Sequence, residues 1–338
     1  MSKKNVKITD VASAAGVSQS AVSFVLSGRG DEMHISKDTQ KNIWETAREL
    51  GYSPSNLTRR IKKPITIGVP TMTIFWTVDR SYTMLTRSLV ALQNSIVKKN
   101  LNLQVVMRPF ISGHLSDALK KSTEDYFSGA IIGGATDIDM EAVSGLDISM
   151  PIVFFERTAT KFNSVYTNFD FGLSLAEAIA DKGFKNVLLL LPHDVGPNLI
   201  LRCESIQREL KKRGIRSRKI TAKDGISNLD FGKEIAVKTM TGNFPADVLC
   251  FMQEEIAVGG VDGLRSINLT GGRDVELISY GTGSHLDYLG MPITRIIPQI
   301  EQLSDLTIDV LLEQISNPGS APRNVAVGCE IQLEGRLK

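Results

Sequence analysis

Turn-forming residues divide the first fifty positions of this 338-residue chain into three short segments whose apolar side chains recur at helical spacing. Thr9 or Asp10 is able to cap the first segment, and Gly16 predicts a left-handed end to it. Ser18 and Ser36 are natural N-caps for the second and third segments. Two helices joined by a tight turn and braced by a third form a helix-turn-helix, so the pattern indicates a small all-α domain of a kind that binds DNA.

A break in the helical pattern separates this head from the rest of the chain. Pro54 interrupts the pattern, and Lys62-Lys63-Pro64 is typical of a linker. The predicted domains are a helix-turn-helix DNA-binding domain over residues 1–53, a hinge helix or linker over residues 54–64, and a core over residues 65–338.

Beyond the linker, short apolar runs alternate with amphipathic segments, which predicts an α/β core with parallel sheets. The predicted strands are 65–70, 103–107, 129–132, 151–155, 186–191, 248–251 and 276–279. The predicted helices are 82–99, 115–127, 172–182, 199–213, 254–264 and 299–314. Because this is more chain than one sheet usually needs, we expect two doubly wound subdomains, approximately 65–163 with 295–323, and 164–294 with 324–338. Ligands of such folds bind at the carboxyl ends of the strands.

The distribution of charge and the placing of the cysteines narrow the range of possible functions. Residues 1–63 carry 11 Lys and Arg against 6 Asp and Glu, whereas the remaining residues carry 28 against 31. A basic head on a mildly acidic body points to nucleic acid as the partner of the head, although chance also produces such asymmetry. Cys203, Cys250 and Cys329 are far apart, which predicts buried thiols in a cytoplasmic protein and neither a disulfide framework nor a zinc site. The sequence predicts neither a secretory signal nor a membrane span.

No catalytic motif emerges. Gly281 and Gly283 lack the third glycine of a dinucleotide fingerprint, and neither a phosphate-binding loop nor a nucleophile elbow is present. The four histidines are scattered, and we interpret His193 with Asp194 as a loop pair. The sequence therefore predicts a protein that is not an enzyme and that needs no cofactor or metal.

Several stretches resemble the LacI/GalR family of bacterial regulators. The match runs through ITDVASAAGVS at 8–18, AVS at 21–23, VLSG at 25–28 and LGYSP at 50–54. In the core, PIVFFER at 151–157 and KGFKNV at 182–187 also look like family features. The resemblance implies a homodimer or tetramer that binds pseudo-palindromic double-stranded operator DNA. It also implies a small-molecule effector, a sugar or another metabolite, that binds in the core cleft and changes operator affinity.

The resemblance places the second helix of the head in the major groove. Ser18, Gln19 and Ser20 would then face base edges or phosphates, because glutamine pairs with adenine and serine with either partner. Phe24 stands where the family commonly has arginine, so it would contact a thymine methyl, although a core position is the alternative. The candidate phosphate contacts, each of which could equally be an ordinary surface residue, are Lys7, Ser23, Ser27, Arg29 and Lys37.

The resemblance also implies a hinge segment that becomes helical on DNA and inserts an apolar side chain into the minor groove. Ile61 occupies the position of the usual leucine wedge, and Thr58 replaces an alanine. Arg59 and Arg60 would follow the phosphates, and Asn56 is a further candidate DNA-binding residue. A linker that never becomes ordered is the alternative for this segment.

In the core, Arg202 resembles the family's ligand-binding arginine. A guanidinium suits a carboxylate, a phosphate or sugar hydroxyls. The other candidate effector residues, each of which could equally be a polar loop residue, are Asp79, Tyr82, Glu156, Gln253 and Glu254. Gly281 and Thr282 stand where many sugar-responsive members have an aspartate pair, which favours an effector other than a simple neutral sugar, or none.

Two functions remain open at this point. The first is a DNA-binding transcriptional regulator of repressor type. The alternative is a solute-binding receptor of periplasmic-binding-protein type, whose core is similar but which would have no use for residues 1–63.

Overall fold

The computed structural model describes residues 7–26, 29–50, 71–78, 82–122, 127–193, 195–242, 246–281 and 285–338. The chain divides into two compact units. The first comprises residues 1–71 with 102–104, and the second comprises residues 72–101 with 105–338.

Three helices form the described part of the head: α1 (Ile8–Ala15), α2 (Gln19–Leu26) and α3 (Lys37–Glu49). Their apolar faces meet in one small cluster, because removing these side chains from water is the main force available to so short a domain. The buried residues of this cluster are Val11, Ala12, Val22, Val25, Leu26, Ile43 and Ala47. The all-α head predicted from the sequence is confirmed.

Most of the capping residues predicted in the head lie at the ends of its helices. Gly16 adopts φ 66°, and its N–H bonds the carbonyl of Ala12. Ser18 Oγ accepts the N–H of Ala21 at 3.2 Å, and Ser36 Oγ accepts that of Thr39 at the same distance. For α1 the N-cap position is Lys7, and of the two predicted capping residues Asp10 caps the helix from its first turn.

The first helix begins one residue before Thr9 and two residues before Asp10. It starts at Ile8, so Thr9 and Asp10 lie inside its first turn. From there the Asp10 carboxylate accepts the backbone N–H of Lys7 at 2.7 Å, which still satisfies a donor at the start of the helix.

The described part of the core contains two six-stranded sheets. The first has the order β11-β5-β4-β3-β1-β2 and the second β12-β10-β9-β8-β6-β7. The strands of the first are β1 (Thr71–Thr77), β2 (Gln104–Phe110), β3 (Gly129–Gly133), β4 (Ile152–Phe155), β5 (Asn163–Thr167) and β11 (Asn324–Val327). The strands of the second are β6 (Asn186–Leu191), β7 (Arg216–Thr221), β8 (Val248–Phe251), β9 (Glu276–Tyr280), β10 (Thr294–Pro298) and β12 (Cys329–Gln332). Neighbouring strands from β1 through β3, β4 and β5 to β11 are parallel, as are β7 through β6, β8 and β9 to β10, while β12 is antiparallel to β10.

Helices pack on the sheets and bury the apolar strands. They are α4 (Tyr82–Lys98), α5 (Leu115–Ser122), α6 (Asp137–Ser144), α7 (Phe171–Asp181), α8 (Pro197–Lys212), α9 (Asn228–Thr241), α10 (Glu254–Ser266) and α11 (Ile300–Ser316). The strands β3, β4 and β8 are buried along their whole length, as parallel strands covered on both faces must be. None of the helices in the described ranges is long and apolar enough to cross a membrane.

The fold class predicted from the sequence is confirmed, but several elements were missed. The prediction contained no α6, β5, α9 or β10 to β12. The strand β7 was also missed, because it forms the edge of its sheet and its side chains are mostly exposed. The strand predicted at 65–70 lies outside the described residues, and β1 follows it directly.

The chain passes between the two sheets at three places, after Thr167, after Pro298 and after Val327. The sequence placed these passages at 163/164, 294/295 and 323/324. Each observed passage comes later because β5, β10 and β11 complete their pairing within one sheet before the chain leaves it.

Candidate functional sites

A cavity of about 240 Å³ lies in the core at the carboxyl ends of strands from both sheets. Thr77 ends β1, and Glu156 follows β4 on the side of the first sheet. Gln253 and Gly281 follow β8 and β9 on the side of the second. Parallel strands leave their carboxyl ends at one edge, which is where such folds bind ligands.

A buried ion pair lines this cavity. Arg202 Nη2 donates to Glu156 Oε2 at 2.6 Å, with the two side chains 6% and 12% exposed. Thr167 Oγ1 donates to the other oxygen of the Glu156 carboxylate. Charges removed this far from water need such partners, so the pair fixes both side chains against the cavity wall.

The backbone of Glu156 is itself unusual. Its φ of 55° lies in the left-handed region, which costs a residue with a side chain on the order of 1–3 kcal/mol. Asn198, near the start of α8, donates from Nδ2 to the Glu156 carbonyl at 2.6 Å and so supports this conformation. The strained turn directs the Glu156 side chain towards Arg202.

Tyr280 forms the surface on which Arg202 rests. The guanidinium carbon lies 4.9 Å from the centroid of the Tyr280 ring, a cation–π distance. Burial raises the pKa of Tyr280 above its ordinary value, so the phenol stays neutral at physiological pH. The ring therefore offers Arg202 an aromatic face without a competing charge.

A second ion pair involves the residue that begins α10. Arg87 Nη2 lies 3.8 Å from Glu254 Oε2, and the Glu254 side chain is only 6% exposed. Gly281 lies against it with φ 147°, and a Cβ at Gly281 would come within 2.5 Å of Glu254 Cγ. The glycine therefore leaves the space that the Glu254 side chain occupies.

The structure brings four of the six predicted effector residues together. Glu156, Arg202, Gln253 and Glu254 all line the cavity, and Gln253 Oε1 accepts a hydrogen bond from Asn228 at 3.1 Å. Their binding of a ligand stays a prediction. Asp79 lies outside the described residues, and for Tyr82 only its place at the start of α4 is described.

The sequence prediction missed several other residues of the cavity wall. They include Trp76, Arg87, Arg157, Asn198 and Glu255. Arg157 directly follows Glu156 and could have been found from its place after a strand. Arg87 lies inside α4, where helical spacing alone does not separate a cavity residue from a surface residue.

In the head, α2 presents polar side chains to solvent. Ser18, Gln19 and Ser20 are exposed, and Ser23 is half-buried. Phe24 is also half-buried, so both its contact with DNA and the alternative of a core position stay predictions. Its ring lies 5.4 Å from the guanidinium carbon of Arg29.

Two of the predicted phosphate contacts form ion pairs within the head. Arg29 Nε lies 3.0 Å from Glu32, and Lys37 Nζ lies 2.7 Å from Asp31. The hydrogen bond from Lys37 lowers the pKa of Asp31. All four side chains are more than half exposed, so phosphates could replace the carboxylates at little cost.

The other residues predicted to contact DNA are only partly described. Lys7 is exposed just before α1. Ser27 and the hinge residues Asn56, Thr58, Arg59, Arg60 and Ile61 lie outside the described residues.

The three cysteines add no reactive thiol to these two sites. Burial raises the pKa of Cys203 and of Cys329 to about 12, and that of Cys250 also rises, so the three thiols stay protonated at neutral pH. Within the part of the chain that the structure describes, no cluster of three potential metal-ligating side chains occurs.

A helix-turn-helix head and a two-sheet core with a cavity at its strand ends define a ligand-sensing DNA-binding regulator. Residues 7–55 match the profile of bacterial regulatory proteins of the lacI family, and residues 176–333 match the periplasmic binding protein-like domain. Over 318 residues the chain is 22% identical to the HTH-type transcriptional repressor PurR of Actinobacillus pleuropneumoniae serotype 3, covering 91% of this chain and 90% of the relative.

Solved structures show the same fold. A LacI family transcription regulator from Clostridium acetobutylicum superimposes with a TM-score of 0.71 at 24% identity, over 78% of this chain and 99% of that one. The Lac repressor dimer bound to operator and the anti-inducer ONPF superimposes with a TM-score of 0.67 at 17% identity, over 99% of both chains. The head therefore matches the lacI family of bacterial regulatory proteins, and the core matches the periplasmic binding protein-like domain.

Proposed function

We propose that the protein is a transcriptional repressor whose head binds an operator half-site and whose core cavity binds a small effector. The observation that carries the proposal is the exposed polar start of α2 on a head that matches the family over residues 7–55. Gln19 and Ser20 would read base edges, while Arg29 and Lys37 would exchange their carboxylate partners for phosphates.

The core supports the sensing part of the proposal. A cavity of about 240 Å³ with apolar walls and a few fixed polar groups has the character of a small-molecule site. Binding there would change operator affinity by a coupling of roughly 1–3 kcal/mol. The solved Lac repressor structure contains both operator and a small ligand, which agrees with such coupling. We infer that the protein has no catalytic activity. We also infer that it lies in the cytoplasm, where the operator DNA is.

An exposed apolar surface supports a homodimer. Val90 and Val97 on α4 are 54% and 71% exposed, and they lie seven residues apart on one face of the helix. Val105 and Met107 are also exposed on β2, the edge strand of the first sheet. A second copy of the chain would cover this surface and supply the second head that a pseudo-palindromic operator needs.

A selection from random duplex DNA with the full-length protein tests the DNA function. At about physiological salt we expect a pseudo-palindrome, and we expect Gln19→Ala to change the preferred half-site bases. Ser13→Ala, an exposed change on α1, is the matched control. If no motif is enriched, a solute-binding receptor without DNA function becomes the better interpretation.

Sedimentation tests the dimer separately. Val97→Asp should convert the full-length protein to a monomer at micromolar concentration, because a carboxylate in an apolar interface is costly to bury. Ile138→Asp, at a position 68% exposed on α6, should leave the dimer intact. A dimer that tolerates Val97→Asp would place the interface elsewhere.

A further inference from the structure

The charges in the cavity wall carry information about the ligand. Among the described residues, the charged side chains that line the cavity are Arg87, Arg157, Arg202, Glu156, Glu254 and Glu255. Three cations face three carboxylates, so the described wall is electrically balanced before any ligand binds.

Each of the three guanidinium groups also has its own carboxylate partner. Arg202 lies 2.6 Å from Glu156, and Arg87 lies 3.8 Å from Glu254. Arg157 pairs with Asp137, which begins α6 and does not line the cavity. Counting this partner, four carboxylates surround three guanidinium groups.

An anionic ligand would meet an unfavourable environment here. A phosphate or carboxylate that bonded Arg202 would lie close to the Glu156 carboxylate, which bonds Arg202 Nη2 and also accepts from Thr167. Two negative charges side by side in a largely buried site repel each other, and an uncompensated buried charge is strongly destabilising. The arginines therefore position the glutamates in the wall and do not attract an anion.

Several buried polar atoms of the residues that line the cavity lack hydrogen-bond partners among the described residues. Among them are one acceptor, Asn198 Oδ1, and two donors, Arg202 Nε and Arg157 Nε, on residues that are more than nine-tenths buried. Such atoms are costly to leave without hydrogen bonds. A ligand that donates to Asn198 and accepts from Arg202 Nε would satisfy both without carrying a negative charge.

The remaining wall is mostly apolar, and it fits a ring. Trp76, Met84, Leu199 and Met252 line the cavity beside Tyr280. At about 240 Å³ the space suits a molecule of one or two rings. Glu254, in the room left by Gly281, adds an acceptor for a hydroxyl or an amine of the ligand.

We propose that the cavity takes a small uncharged or cationic ring compound that donates hydrogen bonds, and that it rejects phosphorylated and carboxylated compounds. This inference rests on the proposed function of the core as an effector sensor. It names the ligand class that the sequence left open, because Arg202 alone was compatible with anions and with sugar hydroxyls.

A charge-matched series tests the rejection of anions. The chain has two tryptophans, so in the full-length Trp44→Phe protein the fluorescence reports Trp76 in the cavity wall. The probes are D-glucose, D-glucosamine and D-glucose 6-phosphate, which share one ring and differ in charge. We expect the phosphate to bind at least about tenfold more weakly than the tighter of the other two, a difference of about 1.4 kcal/mol. Tighter binding of the phosphate would overturn the proposal.

A second arm does not depend on the choice of ring. Small molecules extracted from bacteria are separated on a strong anion exchanger at pH 7, and each fraction is added to full-length protein on the selected operator duplex. We expect the unretained fractions to change operator affinity. Activity confined to retained fractions, or to none, would overturn the inference while leaving DNA binding intact. Failure to bind any selected duplex would instead contradict the proposed function.

Discussion

The head and the cavity both contain ion pairs between a basic side chain and a carboxylate, but the surroundings of these pairs are opposite. In the head, Arg29 with Glu32 and Lys37 with Asp31 are exposed to solvent. In the cavity, Arg202 with Glu156 is almost completely buried. Exposed pairs contribute little and exchange partners readily, whereas a buried pair is costly to break. The comparison suggests that the head keeps its cations available for phosphates, while the core uses its cations to hold a fixed wall.

The largest expected effect follows from removing one partner of the buried pair. Arg202→Leu leaves the Glu156 carboxylate buried without its cation and should destabilise the core by about 3–5 kcal/mol. Urea unfolding of the Trp44→Phe protein, followed by the fluorescence of Trp76, measures this loss. Adding Glu156→Gln to Arg202→Leu should recover much of it.

The matched change in the head is Arg29→Leu, followed through Trp44 in a Trp76→Phe background. It should cost no more than about 1 kcal/mol, because its partner Glu32 remains in water. Equal losses for the two arginine variants would remove the contrast between head and cavity.

The next largest effect concerns the space beside Glu254. Gly281→Ala should destabilise the core by about 1–3 kcal/mol, because the new methyl group meets Glu254 Cγ at 2.5 Å and the backbone favours glycine. Gly183→Ala is the control, since Gly183 also has a positive φ but open space around its Cβ position. Glu254→Ala should rescue Gly281→Ala in part. Equal effects of the two glycine variants would show that backbone strain alone matters.

A smaller effect is expected at the start of α2. Ser18→Ala removes the acceptor of the Ala21 N–H and should cost the head about 1 kcal/mol. The fluorescence of Trp44 during urea unfolding, again in the Trp76→Phe background, measures it. Ser13→Ala, exposed on α1, should be close to neutral. A loss at Ser13 as large as that at Ser18 would contradict the capping role.

The exposed pair with Lys37 should matter more for DNA than for folding. Lys37→Gln should reduce the slope of log affinity against log salt by about 0.9, the amount expected for one phosphate contact. Fluorescence anisotropy on the selected duplex measures this slope. An unchanged slope would assign Lys37 to its pair with Asp31 alone.

The smallest effect concerns pH. Lys37 lowers the pKa of Asp31 below its ordinary value of 3.8, so the ionised carboxylate stabilises the folded head above that pH. This contribution is lost as the pH falls through the lowered pKa. Asp31→Asn should therefore weaken the head at pH 7 and have no effect well below pH 3, as thermal unfolding followed through Trp44 would show. A difference that persists in acid would contradict the ionic origin.

Local signals were enough to predict the head and part of the cavity. Ser18 and Ser36 cap helices because capping needs only residues three positions away. Glu156 and Gln253 were found because polar residues directly after buried strands meet at one edge of a parallel sheet. The contact of Arg87 with Glu254 joins positions far apart in the chain, and the fit of Glu254 beside Gly281 depends on tertiary packing. Neither leaves a pattern in a single sequence.

The central claim is that ligand chemistry in the cavity controls the DNA affinity of the head. Fluorescence anisotropy of the full-length protein on its selected duplex, with and without the active metabolite fraction, tests it most directly. We predict a change in operator affinity of roughly 5–150-fold for the wild type. Glu254→Gln, which alters only the cavity wall, should reduce that change without altering affinity in the absence of the fraction. Equal responses of wild type and Glu254→Gln, or no response of the wild type to any fraction, would contradict the account.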